Sequence, residues 1–127
     1  MKQLITTNKP VEQAAADLQA AVQRNGFGVL HVYDLKQTLQ SKGYPVSAEC
    51  RIFEVCNPAQ AQRVLNEDMS LCMALPCRIA VFEQAGRTQI GTLSPRALLG
   101  LLSDRPELEA VAAEVEEVIG RIMQEAA

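Results

Sequence analysis

Three times along this chain a capping residue and a proline stand at the end of a β-prone run: Asn8 with Pro10, Asn57-Pro58 and Ser94-Pro95. Proline has no N–H for a sheet ladder and is pre-set for the first turn of a helix, while Asn and Ser side chains accept the free N–H groups that open one. Each site therefore forces a strand to hand over to a helix, which limits the fold to a few alternating α/β arrangements.

The segments between these signals fill in the order. Lys2 to Thr7 reads as a strand, and Val11, Ala14, Ala15, Leu18, Ala21 and Val22 give the following helix an apolar stripe that ends at Asn25-Gly26. That helix is expected over Pro10 to Arg24. Phe27 to Tyr33 reads as a second strand, with Phe27, Val29 and Tyr33 on one face and Leu30 and Val32 on the other. Asp34 caps a short helix through Gln40, and Lys42-Gly43-Tyr44-Pro45 breaks the chain. Ala48 to Cys56 is a third strand, followed by a helix from Pro58 to Leu65. Met69 to Leu75 is apolar but has no clear period, and core packing is the expected fate of Met69 and Met73, with an adaptable apolar pocket as the alternative.

Cys77 to Glu83 and Arg87 to Leu93 flank Gln84-Ala85-Gly86, a short glycine turn, and predict a hairpin. A leucine-rich helix starts at Ser94-Pro95. After Asp104-Arg105-Pro106 comes an amphipathic helix with a stripe of Leu108, Val111, Val115, Val118, Ile119 and Ile122. The order β-α-β-α-β-α-β-β-α predicts a two-layer α/β sandwich, a largely antiparallel sheet with helices on one face. No repeat or linker divides the chain, so residues 1–127 are expected to form one domain. Several strands carry apolar residues on both faces, which predicts that the uncovered face meets a second copy in a homodimer.

Composition excludes several function classes. A net charge of −3, no Trp, two Tyr and three Phe supply neither the basic footprint nor the stacking platforms of a nucleic-acid surface. No apolar run approaches the about 18 residues of a membrane span, and residues 1–8 lack the pattern of a signal peptide, so a cytoplasmic location is expected. Cys50, Cys56, Cys72 and Cys77 are then expected to be reduced thiols. Metal is disfavoured, because no Cys-x-x-Cys occurs and the one histidine, His31, sits in an apolar strand where a structural role is expected. No phosphate loop, dinucleotide fingerprint or Gly-x-Ser-x-Gly occurs, and the strand carboxylates Glu49, Glu54 and Glu83 read as a solvated face. No cofactor is expected.

The chemistry concentrates in two segments. Cys56-Asn57-Pro58 puts a thiol at a strand end just before a helix, where the free N–H groups favour a thiolate; a small apolar residue beside a helix cap is the plainer reading. Leu75-Pro76-Cys77 opens the fourth strand. If strands three and four are antiparallel neighbours, Cys56 and Cys77 lie at the same end of the sheet; if parallel, at opposite ends.

Gly26-Phe27-Gly28-Val29, Asp34-Leu35, Cys56-Asn57-Pro58 and Leu75-Pro76-Cys77 together resemble the domain of unknown function 302 family over residues 1–103. The resemblance implies an α/β fold of the TATA-binding-protein-like class, common homodimers, and Cys56, Asn57, Pro58, Pro76 and Cys77 as motif positions. It implies no established activity. Residues 104–127 fall outside the resemblance and are expected to be an added helix that extends the dimer interface. Two functions are carried forward: a dimeric domain that binds a small molecule or a protein partner, with Asn57, Pro58 and Pro76 at the site, and a thiol-based redox or sulfur-transfer protein that uses Cys56 and Cys77.

Overall fold

The structure is a computed structural model that describes residues 1–127. The strands are β1 (Lys2–Thr7), β2 (Gly28–Asp34), β3 (Cys50–Cys56), β4 (Cys77–Gln84) and β5 (Arg87–Leu93). They form one five-stranded sheet in the order β1-β5-β4-β3-β2, with every neighbouring pair antiparallel. The helices are α1 (Val11–Arg24), α2 (Leu35–Ser41), α3 (Pro58–Glu67), α4 (Pro95–Leu102) and α5 (Pro106–Ala126), with a 3-10 segment at Met69–Ala74. This is the expected two-layer α/β sandwich.

The local signals act as the chemistry requires. Asn57 Oδ1 accepts from the Gln60 N–H at 3.2 Å, and Ser94 Oγ accepts from the Ala97 N–H at 3.0 Å, each with proline as the first helical residue. Ala85 and Gly86 both take positive φ, at 54° and 75°, and close the β4–β5 hairpin as a two-residue turn. At α1 the expectation fails. Pro10 itself occupies the cap position without a side-chain hydrogen bond, and Asn8 caps nothing.

One face of the sheet is buried. Phe53, Val55, Ile79, Val81 and Ile90 point at the helices and join Leu18 and Val22 of α1, Val64 of α3, Leu99 of α4 and Ile119 of α5 in a single core. The stripe of α5 is spent on this packing: Leu108, Val111, Val115, Ile119, Ile122 and Met123 are all buried against α1, α3 and α4. Lys9 Nζ donates to the Ala126 carbonyl at 3.0 Å, and Arg24 Nη2 donates to Glu125 at 3.0 Å, which fasten the end of α5 to the α1 side. The apolar side of α5 is therefore consumed inside the chain, so it is not the stripe that a second copy would cover.

Strand β2 also departs from the reading of its faces. A bulge between Val29 and His31 inserts one residue, so the period of two breaks there. Phe27 and Val29 stay with the core, while His31 and Tyr33 pair with Glu54 and Ile52 on the opposite face. His31 is exposed, with its ring 4.3 Å from that of Tyr33, and makes no side-chain hydrogen bond, unlike the hydrogen-bonded structural histidine expected.

The second face of the sheet has no helix over it. Its middle row runs Leu4, Gly91, Ala80, Ile52 and Tyr33 across the strands. The row toward the α3 end runs Lys2, Leu93, Arg78, Glu54 and His31, so an apolar band is bordered by charge.

Candidate functional site

Because β3 and β4 are antiparallel, with Val55 opposite Cys77, the ends of the two motif segments meet. Cys56 leads through Asn57 into α3, and Leu75-Pro76, joined by a cis peptide bond, leads into β4. Between this end of the sheet and α3, the 3-10 segment, α4 and α5 lies a cavity of about 300 Å³. Cys56, Asn57, Pro76 and Cys77 all line it. Pro58 does not; it serves the fold as the first residue of α3.

The rest of the lining is apolar: Phe27, Leu30, Val55, Ala61, Val64, Leu65, Cys72, Leu75, Pro95, Leu99 and Val115, with Gln60 as the second amide. No charged side chain is present. Gln60 is engaged through both ends of its amide, whereas Asn57 is engaged through Oδ1 and its Nδ2 group makes no hydrogen bond within the chain. Asn57 caps α3, and Gln60 Nε2 donates to Glu114 at 3.2 Å while its Oε1 accepts from Arg63. The cavity thus offers shape and apolar surface, with little unsatisfied polarity to orient a polar molecule.

The sequence reading missed most of this wall. Leu30 stands at the β2 bulge with 62% of its surface exposed and borders the cavity; no residue pattern announces a bulge. The segment from Leu65 to Leu75 divides its work. Leu71 is core, Leu65, Cys72 and Leu75 line the cavity, and Met69 and Met73 are exposed, contrary to the core role expected for the methionines. Signals for Cys72 and Leu75 existed in their three-residue spacing within an apolar run, but the same spacing describes a core-facing turn.

A second cleft of about 450 Å³ lies across the Leu75-Pro76-Cys77 wall, bounded also by Met73, Thr92, Leu93, Leu98, Leu102 and Arg78. Arg78 is the one charged residue that lines it.

All four cysteines are free. Burial pushes the Cys56 thiol up, and burial followed by the nearness of Cys56 pushes the Cys77 thiol up to about 11. Burial raises the Cys56 thiol, against the reading of a thiolate favoured at the start of α3 and in line with the plainer one, a small apolar residue beside a helix cap. Neutral thiols are poor nucleophiles, so the pair behaves as apolar wall. No group of three or more His, Cys, Asp and Glu side chains is arranged to hold a metal ion.

Fold and site together define an all-antiparallel α/β sandwich with an apolar pocket at one end of its sheet. The chain matches the model of the domain of unknown function DUF302 over residues 3–126, and it belongs to that family. The match continues through α5, beyond the residues that carried the resemblance in sequence. The crystal structure of an uncharacterized conserved DUF302 protein from Bacillus stearothermophilus is similar, with 32% identity and a TM-score of 0.94 over 99% of this chain and 98% of that one. No curated protein matches. No helix is long and apolar enough to cross a membrane.

Proposed function

We propose that this protein is a binding module that takes the apolar part of a small molecule into the cavity at the end of β3 and β4. The observation that carries the reading is the wall itself. It is built from both motif segments and is almost wholly apolar, with the Gln60 amide and the Asn57 Oδ1 already hydrogen-bonded within the chain. A cavity of this size is at the lower end of ordinary ligand sites, and burying an alkyl chain there is worth about 0.8 kcal/mol per methylene. Cys56 and Cys77 take part as apolar lining, and Asn57 and Pro76 shape the entrance.

Ala61 gives the test. It is a half-buried methyl on α3 that faces the cavity, and Ala61→Phe fills the space with a ring. The neutral dye Nile red is expected to brighten on binding the native chain and to lose at least about tenfold in affinity on the variant. Equal binding to both refutes the site.

Two copies pair through the uncovered face of the sheet in this reading. Leu4 and Leu93 are about half exposed there, at 50% and 51%, and Ala80 and Ile52 continue the row of Leu4 across β4 and β3. An apolar row with charged residues at its border is the composition of an interface core and rim. Light scattering is expected to return twice the chain mass for the native protein and one chain mass for Ala80→Arg. A native monomer at micromolar concentration contradicts the pairing.

A further inference from the structure

We propose that the molecule taken into the cavity is uncharged and carries a hydrogen-bond acceptor, a carbonyl oxygen such as that of a ketone or an ester, which the side-chain amide of Asn57 holds through Nδ2. The inference rests on the apolar-cavity reading above and adds the ligand's polar group to it.

Two of the lining side chains carry nitrogen or oxygen, Asn57 and Gln60. Gln60 is tied at both ends by contacts at the surface, where Nε2 donates to Glu114 at 3.2 Å and Oε1 accepts from Arg63 at 2.9 Å. Asn57 is tied at one end only. Its Oδ1 accepts the Gln60 N–H at 3.2 Å as the cap of α3, which settles which arm of the amide is the oxygen and turns that arm to the first turn of the helix. Nδ2 is the other arm, and it has no partner within the chain. It is not sealed off either: the one buried side-chain nitrogen or oxygen without a partner is Arg51 Nε, on β3 toward the end of the sheet away from the cavity.

That free amide decides the chemistry of the ligand's polar group. An NH2 group donates and cannot accept, so it selects an acceptor. No charged side chain lines the cavity, so an anionic head would give up its hydration with no cation to replace it, and an ammonium head would meet a donor where it needs an acceptor. Cys56 and Cys77 are neutral thiols and weak donors, which leaves the Asn57 amide as the strong free donor among the lining side chains. Phe27, Val55, Val64, Leu65 and Leu75 supply apolar surface for the rest of the molecule.

The experiment displaces Nile red from the full-length native chain with 2-octanone and with 2-methyl-1-octene, the same skeleton with a methylene in place of the oxygen, and repeats the pair on Asn57→Asp. Aspartate caps a helix as well as asparagine does and has nearly the same shape, but it has no N–H to give. The ratio of ketone to alkene affinity is expected to fall about three- to tenfold on Asn57→Asp, the worth of one neutral hydrogen bond, while the alkene binds both chains equally. With native protein in excess, the carbonyl stretch of bound 2-octanone is expected at lower wavenumber than in hexane, which reads the hydrogen bond without any substitution. If Asn57→Asp loses the alkene as well, the position of that band decides alone. An unchanged affinity ratio, or a bound ketone that absorbs where it does in hexane, overturns the role of Asn57 while the cavity reading stands. Failure of ketone and alkene alike to displace the dye overturns both.

Discussion

Cys77 offers a quantitative check on the environment at the end of the sheet. Its thiol, displaced from 9.0 to about 11 by burial and then by Cys56, carries about a hundredfold less thiolate at pH 8 than a thiol at 9.0, since each unit is a factor of ten. A more basic thiolate is a better nucleophile, and a Brønsted slope of about 0.4–0.5 over two units returns roughly six- to tenfold. The net expectation is alkylation slowed at least about tenfold, before the steric effect of burial is added. Cys72, which is exposed, is an internal reference in the same chain. Iodoacetamide labelling at pH 8, read peptide by peptide by mass spectrometry, should therefore find Cys72 modified first and Cys77 at least about tenfold later. Labelling of Cys77 as fast as Cys72 would refute the desolvated wall and bring back a thiol chemistry.

The same shift links to stability. The folded thiol holds its proton to a higher pH than the unfolded one, so stability is intact below pH 9 and falls by up to about 3 kcal/mol as pH rises toward 11; Cys77→Ala should flatten that alkaline loss in urea titrations. Ile119→Ala on α5 removes a fully buried side chain from the core and should cost about 2–5 kcal/mol by chemical denaturation; a loss under 1 kcal/mol would mean that α5 is an appendage. Asn57→Ala removes the α3 cap and should lower stability by about 0.5–2 kcal/mol, whereas an unchanged denaturation midpoint would show that the cap is dispensable.

What could be read from sequence was local. The caps at Asn57 and Ser94 and the turn at Ala85-Gly86 are short-range chemistry, decided by residues within four positions of one another, and they appear in the fold where the sequence has them. The meeting of Cys56 with Cys77 was legible only as a choice, because the direction of β4 relative to β3 depends on packing across the whole sheet. The β2 bulge was not legible. One inserted residue moves Tyr33 from the side of Phe27 to that of Ile52 and exposes Leu30 at the cavity mouth, and no residue type marks it. The stripe on α5 was plain, but not its partner: an apolar helix face demands a cover, and sequence does not say whether the cover is α1 of the same chain or another copy.

The occupant proposed for the cavity at the junction of the Cys56-Asn57 and Pro76-Cys77 segments is an apolar chain. Isothermal titration of the native protein with the straight-chain alcohols from hexanol to dodecanol measures that binding. Affinity is expected to rise about fourfold per added methylene until the cavity is full, with a negative heat-capacity change, and both effects should vanish in Ala61→Phe. Affinity that does not depend on chain length, or a chain-length series untouched by Ala61→Phe, contradicts the claim.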